Sequence, residues 1–329
     1  MRTFLSEVAG RLYAKYGNDV SSLSIMFSSR RARLFFADAL ASIADRPIWE
    51  PEYLSVDDVM TELAELHSAD KIRLIAELYG VYSKYHDESF DKFYFWGEML
   101  LADFDMIDKY MVDASQLFRN ISDIKELEAD VGYLNEKQLR IIADFWRTIG
   151  EETSLSEQKR RFLAIWRTLG TIYDEYRERL RSLGIAYTGM IYREAVGRID
   201  SGNANPLPPR RYVVAGFNAL STCERRLFAY LANNYDVDFF WDYDDYYVAD
   251  KTQEAGLFVR KSIGELPPER GVSHDNFRNI RSLHTVAAGS NVIQCKYAVS
   301  VLRDLARDGK LDKETAVVLT DENLLMPLL

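Results

Sequence analysis

The sequence contains two cysteines, Cys223 and Cys295, in 329 residues. A pair so small and so widely spaced excludes a disulfide framework and a cysteine-based metal knuckle, and it fits a reducing cytoplasm. Positive charge is also scarce: 41 Lys and Arg stand against 51 Asp and Glu, giving a net charge of -10. This balance excludes a surface that attracts nucleic acid everywhere, so any such contact must come from a local groove of Arg and Lys. No apolar run approaches the roughly 20 residues that a bilayer-spanning helix needs. The opening MRTFLSEVAGRLYAKYG sets Leu5, Val8, Leu12 and Tyr16 on one helical face with charged residues between them. A signal peptide has instead a continuous apolar centre. Gly17 follows this helix as a C-cap. Also missing are a phosphate-cradling G-x-x-x-x-G-K-[ST], a G-x-S-x-G nucleophile elbow, and any internal repeat or low-complexity segment.

What is present is an ordinary globular composition, 47% apolar and 28% charged, with room for two or three packed units. Leu23 to Phe27 reads as a short buried strand, and Ser28-Ser29 then caps a helix from about Arg30 to Ile43. Pro47 and Pro51 bracket a second unit, in which Ser55 and Asp58 form a capping box before a helix through Leu66. Two such units predict the start of a parallel sheet. From Asp70 to about Ser201 the period becomes 3.6. Leu74, Leu78, Val81 and Tyr85 share one face, and Phe162, Ile165, Trp166, Leu169, Ile172, Tyr173 and Tyr176 share another. This predicts a helical insertion, with Phe93, Phe95, Trp96, Phe104, Phe145 and Trp146 as helix-packing aromatics. SGNANPLPPRR, Ser201 to Arg211, has the composition of a linker. After it, strands are expected at Tyr212 to Ala215, Val237 to Trp241, Ser282 to Ala287 and Thr315 to Leu319. Helices are expected at Thr222 to Ala232 and Val292 to Arg307.

The stretch SIMFSSRRARLFFADAL, Ser24 to Leu40, puts two hydroxyls and two guanidinium groups where a strand gives way to a helix. A helix start offers unpaired N-H groups and the positive end of the dipole, and Ser and Arg add donors for phosphate oxygens. The competing reading is that Arg30, Arg31 and Arg33 merely solvate one face of an amphipathic helix. Residue chemistry leaves the two evenly balanced.

The same stretch resembles the DNA-contact motif of superfamily 1 helicases, in the form carried by AddB-like helicase-nuclease subunits, where a strand ends in Pro-Ser-Arg-Arg-Ala. Ser28-Ser29-Arg30-Arg31-Ala32 matches except at Ser28. Four further stretches resemble that family in the same order: Trp96 to Tyr110, Arg211 to Leu231, Phe239 to Tyr247 and Thr315 to Leu329. The resemblance implies that Ser28, Ser29, Arg30 and Arg31 contact DNA. It also implies that Ala215, Gly216, Phe217 and Asn218 occupy a degenerate Walker B position, where an active motor would carry the Asp-Glu pair that holds Mg²⁺ and orients water. With no P-loop and no such acids, the expected ATPase is absent.

Other constellations have plainer accounts. Asp242, Asp244 and Asp245, with Glu254 and His274 further on, could suggest a metal-dependent phosphodiesterase, because strand alternation would send Asp242 and Asp244 to one face. A solvated strand end explains them more simply. The acid-x-Lys strings Asp123-Ile124-Lys125 and Glu157-Gln158-Lys159 lie in helical pattern with no matching strand Asp. Asp321 and Glu322 imitate Walker B acids but read better as first-turn residues of a helix. The histidines His67, His86, His274 and His284 form no pair at metal-ligand spacing.

The expectation is therefore an α/β protein with a degenerate RecA-like parallel sheet. Residues 1-69 and 206-275 form the sheet domain, 70-205 the helical insertion, and 276-329 the start of a second α/β unit. The resemblance implies a non-catalytic, helicase-like region of a PD-(D/E)xK nuclease family protein in double-strand-break repair. Its implied partners are single-stranded DNA and an ATP-dependent helicase-nuclease subunit. It implies no cofactor for these residues, with Mg²⁺ needed only by a nuclease domain outside them. A pure protein-interaction scaffold is the alternative.

Overall fold

Leu23-Phe27 is closed by two serines, and in the computed structural model of the chain it forms strand β1 of a four-stranded parallel sheet. The structure describes residues 3-119, 155-269, 272, 275-279, 282-312 and 315-329. The other strands of this sheet are β2 (Glu52-Leu54), β5 (Arg211-Ala215) and β6 (Val237-Phe240), in the order β2-β1-β5-β6. Leu23 pairs with Arg211 and Phe27 with Ala215, while Ser24 pairs with Glu52 on the other side. β1 is therefore central, and successive crossings leave it in opposite directions.

Side chains alternate along each strand, so the sheet feeds two cores. One face presents Ile25, Phe27, Val213, Ala215 and Phe240 to helices α1 (Phe4-Tyr16) and α2 (Arg30-Ile43). Val8, Ala9 and Leu12 from α1 and Phe36 and Leu40 from α2 close that layer. Gly17 caps α1 at φ 54°, as its sequence position suggests. The opposite face presents Met26, Tyr212, Val214, Phe239 and Trp241. Covering it are α3 (Val56-Ala64), which opens on the Ser55-Asp58 capping box and stops short of Leu66, and two later helices, α7 (Thr188-Asp200) and α8 (Thr222-Asn234). Each Leu, Ile, Val, Phe or Met removed from water here contributes about 1.5-3 kcal/mol before chain entropy is set against it.

Between these halves come α4 (Lys71-Tyr82), α5 (Phe90-Lys109) and α6 (Leu155-Ser182). The 3.6 period is realised: Leu74, Leu78, Val81, Ile165, Leu169, Ile172, Tyr173 and Tyr176 are buried, whereas Tyr85 reaches solvent. In two places the structure corrects the expectation. Phe95 is 63% exposed and does not pack in the core, because its position on α5 faces away from Phe93, Leu100 and Phe104. The helical run is also interrupted by strand β4 (Ile185-Ala186), which pairs parallel with β3 (His67-Ser68) and so ties the insertion's exit to its entrance. Phe145, Trp146 and the side chain of Phe162 lie outside the described residues.

A buried carboxylate locks these helices together. Asp108 of α5 is fully buried and accepts from the hydroxyls of Tyr173 and Tyr187 and from Arg193 Nη1 at 2.9 Å. Its backbone oxygen accepts from Cys223 Sγ. Beside it α5 and α7 approach so closely that a β-carbon on Gly189 would collide with the Asp105 carbonyl oxygen.

The chain divides into two compact units, Met1-Asp275 and Asn276-Leu329. The first also holds α9 (Asp245-Ala249) and α10 (Leu257-Glu265). The second contains α11 (Asn291-Arg307) and the short α12 (Leu325-Leu328). Ser282 to Ala287 and Thr315 to Leu319, expected as strands, form no strand, and Leu283 and Val318 are exposed. A strand exists only through the hydrogen bonds of a neighbour, and among the described residues neither segment has one. Among the described residues no helix is long and apolar enough to cross a membrane.

Candidate nucleic-acid interface

At the carboxyl edge of the sheet, β1 ends in Ser28-Ser29 and turns directly into α2. Ser29 is the N-cap: its Oγ accepts from Ala32 N at 3.2 Å. That bond uses a lone pair of the hydroxyl and leaves its O-H as a donor. Arg30 and Arg31 occupy the first two helical positions, where backbone N-H groups have no intrahelical acceptor. All four residues from Ser28 to Arg31 are exposed, so the structure brings the expected contact residues together on one open turn.

The charge of this turn is not neutralised by a carboxylate among the described residues. Several other guanidinium groups are held by carboxylates: Arg177 by Glu194, Arg198 by Glu65, Arg225 by Glu265 and Arg226 by Asp200. Among the described residues, neither Arg30 nor Arg31 makes an ion pair. Arg33 differs, its guanidinium lying 4.6 Å over the ring of Tyr53. Burial pushes the Tyr53 hydroxyl up to about 12, with Glu50 adding to the shift, so this ring remains neutral and suited to a cation on its face.

The neighbouring loop carries the residues expected at a degenerate Walker B position. Ala215 is fully buried at the end of β5, and Gly216 has φ 76°, a left-handed conformation that an acidic residue would adopt only under strain. A β-carbon at Gly216 would meet the Phe4 ring at 3.6 Å and Ser28 Oγ at 3.9 Å. Phe217 turns into the core against Phe228, Asn218 is exposed, and Ser221 with Glu224 forms the capping box of α8. In open α/β sheets ligands bind outside the carboxyl ends of the strands where successive connections diverge, which here is the space between β1 and β5. An apolar ring from α1 borders that space.

Part of the acidic cluster serves the start of a helix. β6 ends at Phe240, so the alternation that would align Asp242 with Asp244 does not extend to them. Asp244 is instead the N-cap of α9, accepting from Tyr246 N, and Asp245 lies in that helix's first turn. Among the described residues no three His, Cys, Asp or Glu side chains are grouped to hold a metal ion. Asp321 caps a short 3₁₀ turn, accepting from Asn323 N, and Glu322 follows in its first turn. Glu157-Gln158-Lys159 falls on α6, with side chains outside the described set, as are Asp123-Ile124-Lys125 and His274 altogether. His67 is exposed in β3. His86 is partly buried against Thr168 Oγ1 at 2.8 Å.

Sequence reasoning missed two features of this edge. One is Phe4. The other is the pair Leu34 and Phe35, 69% and 61% exposed one turn beyond the arginines. The signal for the pair was available, since both residues fall off the stripe formed by Phe36 and Leu40. No protein-family model matches the chain, and no curated protein matches it.

Proposed function

We propose that Ser29, Arg30 and Arg31 bind the phosphates of single-stranded DNA, and that this chain is the non-catalytic, helicase-like region of an AddB-like nuclease subunit acting in double-strand-break repair. The observation that carries the reading is a pair of arginines without carboxylate partners among the described residues, at the start of a 14-residue helix in a chain of net charge -10. Free backbone N-H groups, the helix dipole, a serine hydroxyl and two guanidinium groups all favour an anion at the same turn. The ordered resemblance of five segments supports reading that anion as the DNA backbone. The four-stranded parallel sheet is compatible with a degenerate RecA-like motor domain, and the helical insertion with the block that splits such domains. In this reading the region guides one strand and packs against an ATP-dependent helicase-nuclease partner. Mg²⁺ belongs to a nuclease domain outside these residues.

Phosphate contacts of this kind release counterions and carry no base information. Replacing both Arg30 and Arg31 by Ala should weaken binding of a labelled oligonucleotide evenly across sequences. It should also flatten the slope of log K against log salt by roughly 1.4, two contacts at about 0.7 each. Fluorescence anisotropy from low to physiological salt measures the slope, and a thermal melt checks folding. An unchanged slope in a folded double variant would leave the pair as surface charge and favour a protein-interaction scaffold.

A further inference from the structure

We infer that Phe35, flanked by Leu34, is a base-stacking platform for the single strand, which makes this surface selective for unpaired DNA. The inference rests on the phosphate-binding reading above and adds what recognises the bases. Phe36 of α2 is buried against Phe27 and Tyr53, as a core ring should be. Phe35 is 61% exposed and Leu34 69%, so α2 keeps two large apolar side chains in water next to its own core stripe.

Their position decides what they can serve. Residues four apart on a helix are neighbours, about 5-6 Å between β-carbons, so Phe35 stands beside Arg31 and Leu34 beside Arg30. Helical side chains lean toward the helix N-terminus, which carries the Phe35 ring over the turn that bears the arginines. Arg33 is held over Tyr53 and is committed there. Asp38, exposed one turn further along the same face, ends the run with a negative charge that phosphate avoids. The surface is thus two unpaired cations followed at once by an aromatic and an aliphatic side chain. A single strand offers a phosphate and, one sugar away, an apolar face, which matches cations set beside a ring. Bases inside a duplex already stack on each other and have no face to give to Phe35.

The test uses the whole 329-residue chain, a labelled oligo-dT, the same backbone with abasic sites, and a duplex of equal length. Phe35→Ala should weaken oligo-dT binding about tenfold while leaving the salt slope unchanged, because stacking releases no counterions. Abasic and duplex DNA should bind both proteins alike, and Phe35→Trp should restore affinity with quenching of the new indole. Phe95→Ala, removing an equally exposed ring on α5, should change nothing. If Phe35→Ala binds oligo-dT as tightly as the parent while the Arg30 and Arg31 double variant does not, stacking is wrong and the phosphate site stands. The apolar pair would then belong to a protein contact. If the unaltered chain fails to bind oligo-dT at low salt, both the stacking and the phosphate reading fall.

Discussion

Single residues in this protein are constrained most tightly where a charge is buried. Asp108 has no exposed surface and is satisfied by two tyrosine hydroxyls and Arg193, with Arg177 nearby at 3.8 Å. Burial, reinforced by Asp108, pushes the Tyr173 hydroxyl up to about 12 and raises that of Tyr187 well above its ordinary value, so both remain donors throughout the working range. Removing the carboxylate strands the guanidinium groups in a site shaped for their counter-charge. Asp108→Ala should therefore cost about 3-5 kcal/mol, a large part of the roughly 5-15 kcal/mol that holds a domain together. Urea denaturation followed by circular dichroism measures it. Asp108→Asn, which keeps the shape but not the charge, should lose nearly as much, and an Asn variant as stable as the parent would contradict the role of the charge. Nothing in the sequence singles out Asp108 from the other acids of its helix, because its partners come from segments far away in the chain.

Helices and strands were legible to the extent that their signals are local. β1 and α2 fall on the residues expected of them because an apolar run, a Ser cap and a 3.6-residue stripe are all written within Leu23 to Ile43. The turn between them, and with it the candidate site, was readable for the same reason. The commitment of Arg33 to Tyr53 was not, since it depends on β2 pairing beside β1. Ser282 to Ala287 misled because β propensity makes a strand only beside a pairing partner. The junction of α4 and α6 carries a pH dependence. Burial lowers the pKa of His86 below its ordinary value, partly offset by Glu88, while its ring bonds Thr168 and stacks on Tyr82. The folded state thus binds the proton less readily than the unfolded chain. Stability is fully present above the unfolded pKa, about 6.5, and falls as pH drops through the folded value, at up to about 1.4 kcal/mol per pH unit. Thermal melts between pH 7.5 and 5 should show a steeper loss for the parent than for His86→Gln. Parallel curves would refute the assignment.

At the scale of the whole molecule, the proposed helicase-like reading makes a prediction about nucleotide. The proposed reading assigns Ala215 and Gly216, with Phe4 beside them, to the place of the Mg²⁺-binding acids, and no G-x-x-x-x-G-K-[ST] occurs anywhere in the sequence. The chain should neither bind nor hydrolyse ATP. Titration with a fluorescent ATP analogue and Mg²⁺ should give no saturable signal, and micromolar saturation would overturn the degenerate-motor reading.

The central ladder of the sheet has a further effect, on the order of events during synthesis. β1 is bonded on one side by β2, its near neighbour in sequence, and on the other by β5, which lies beyond the whole helical insertion. At roughly 5-20 residues per second, a ribosome delivers β5 on the order of 10-40 s after β1. Throughout that interval Leu23, Ile25 and Phe27 belong to a strand with one bare edge, and their first core must be held by α1 and α2 alone. The helices between also pair over long separations, α3 and α5 with α7 and α4 with α6, so the closing of β5 onto β1 is one of several late long-range steps. The turn at Ser28 to Arg31, built entirely from local signals, is in place long before the loop at Gly216 arrives beside it.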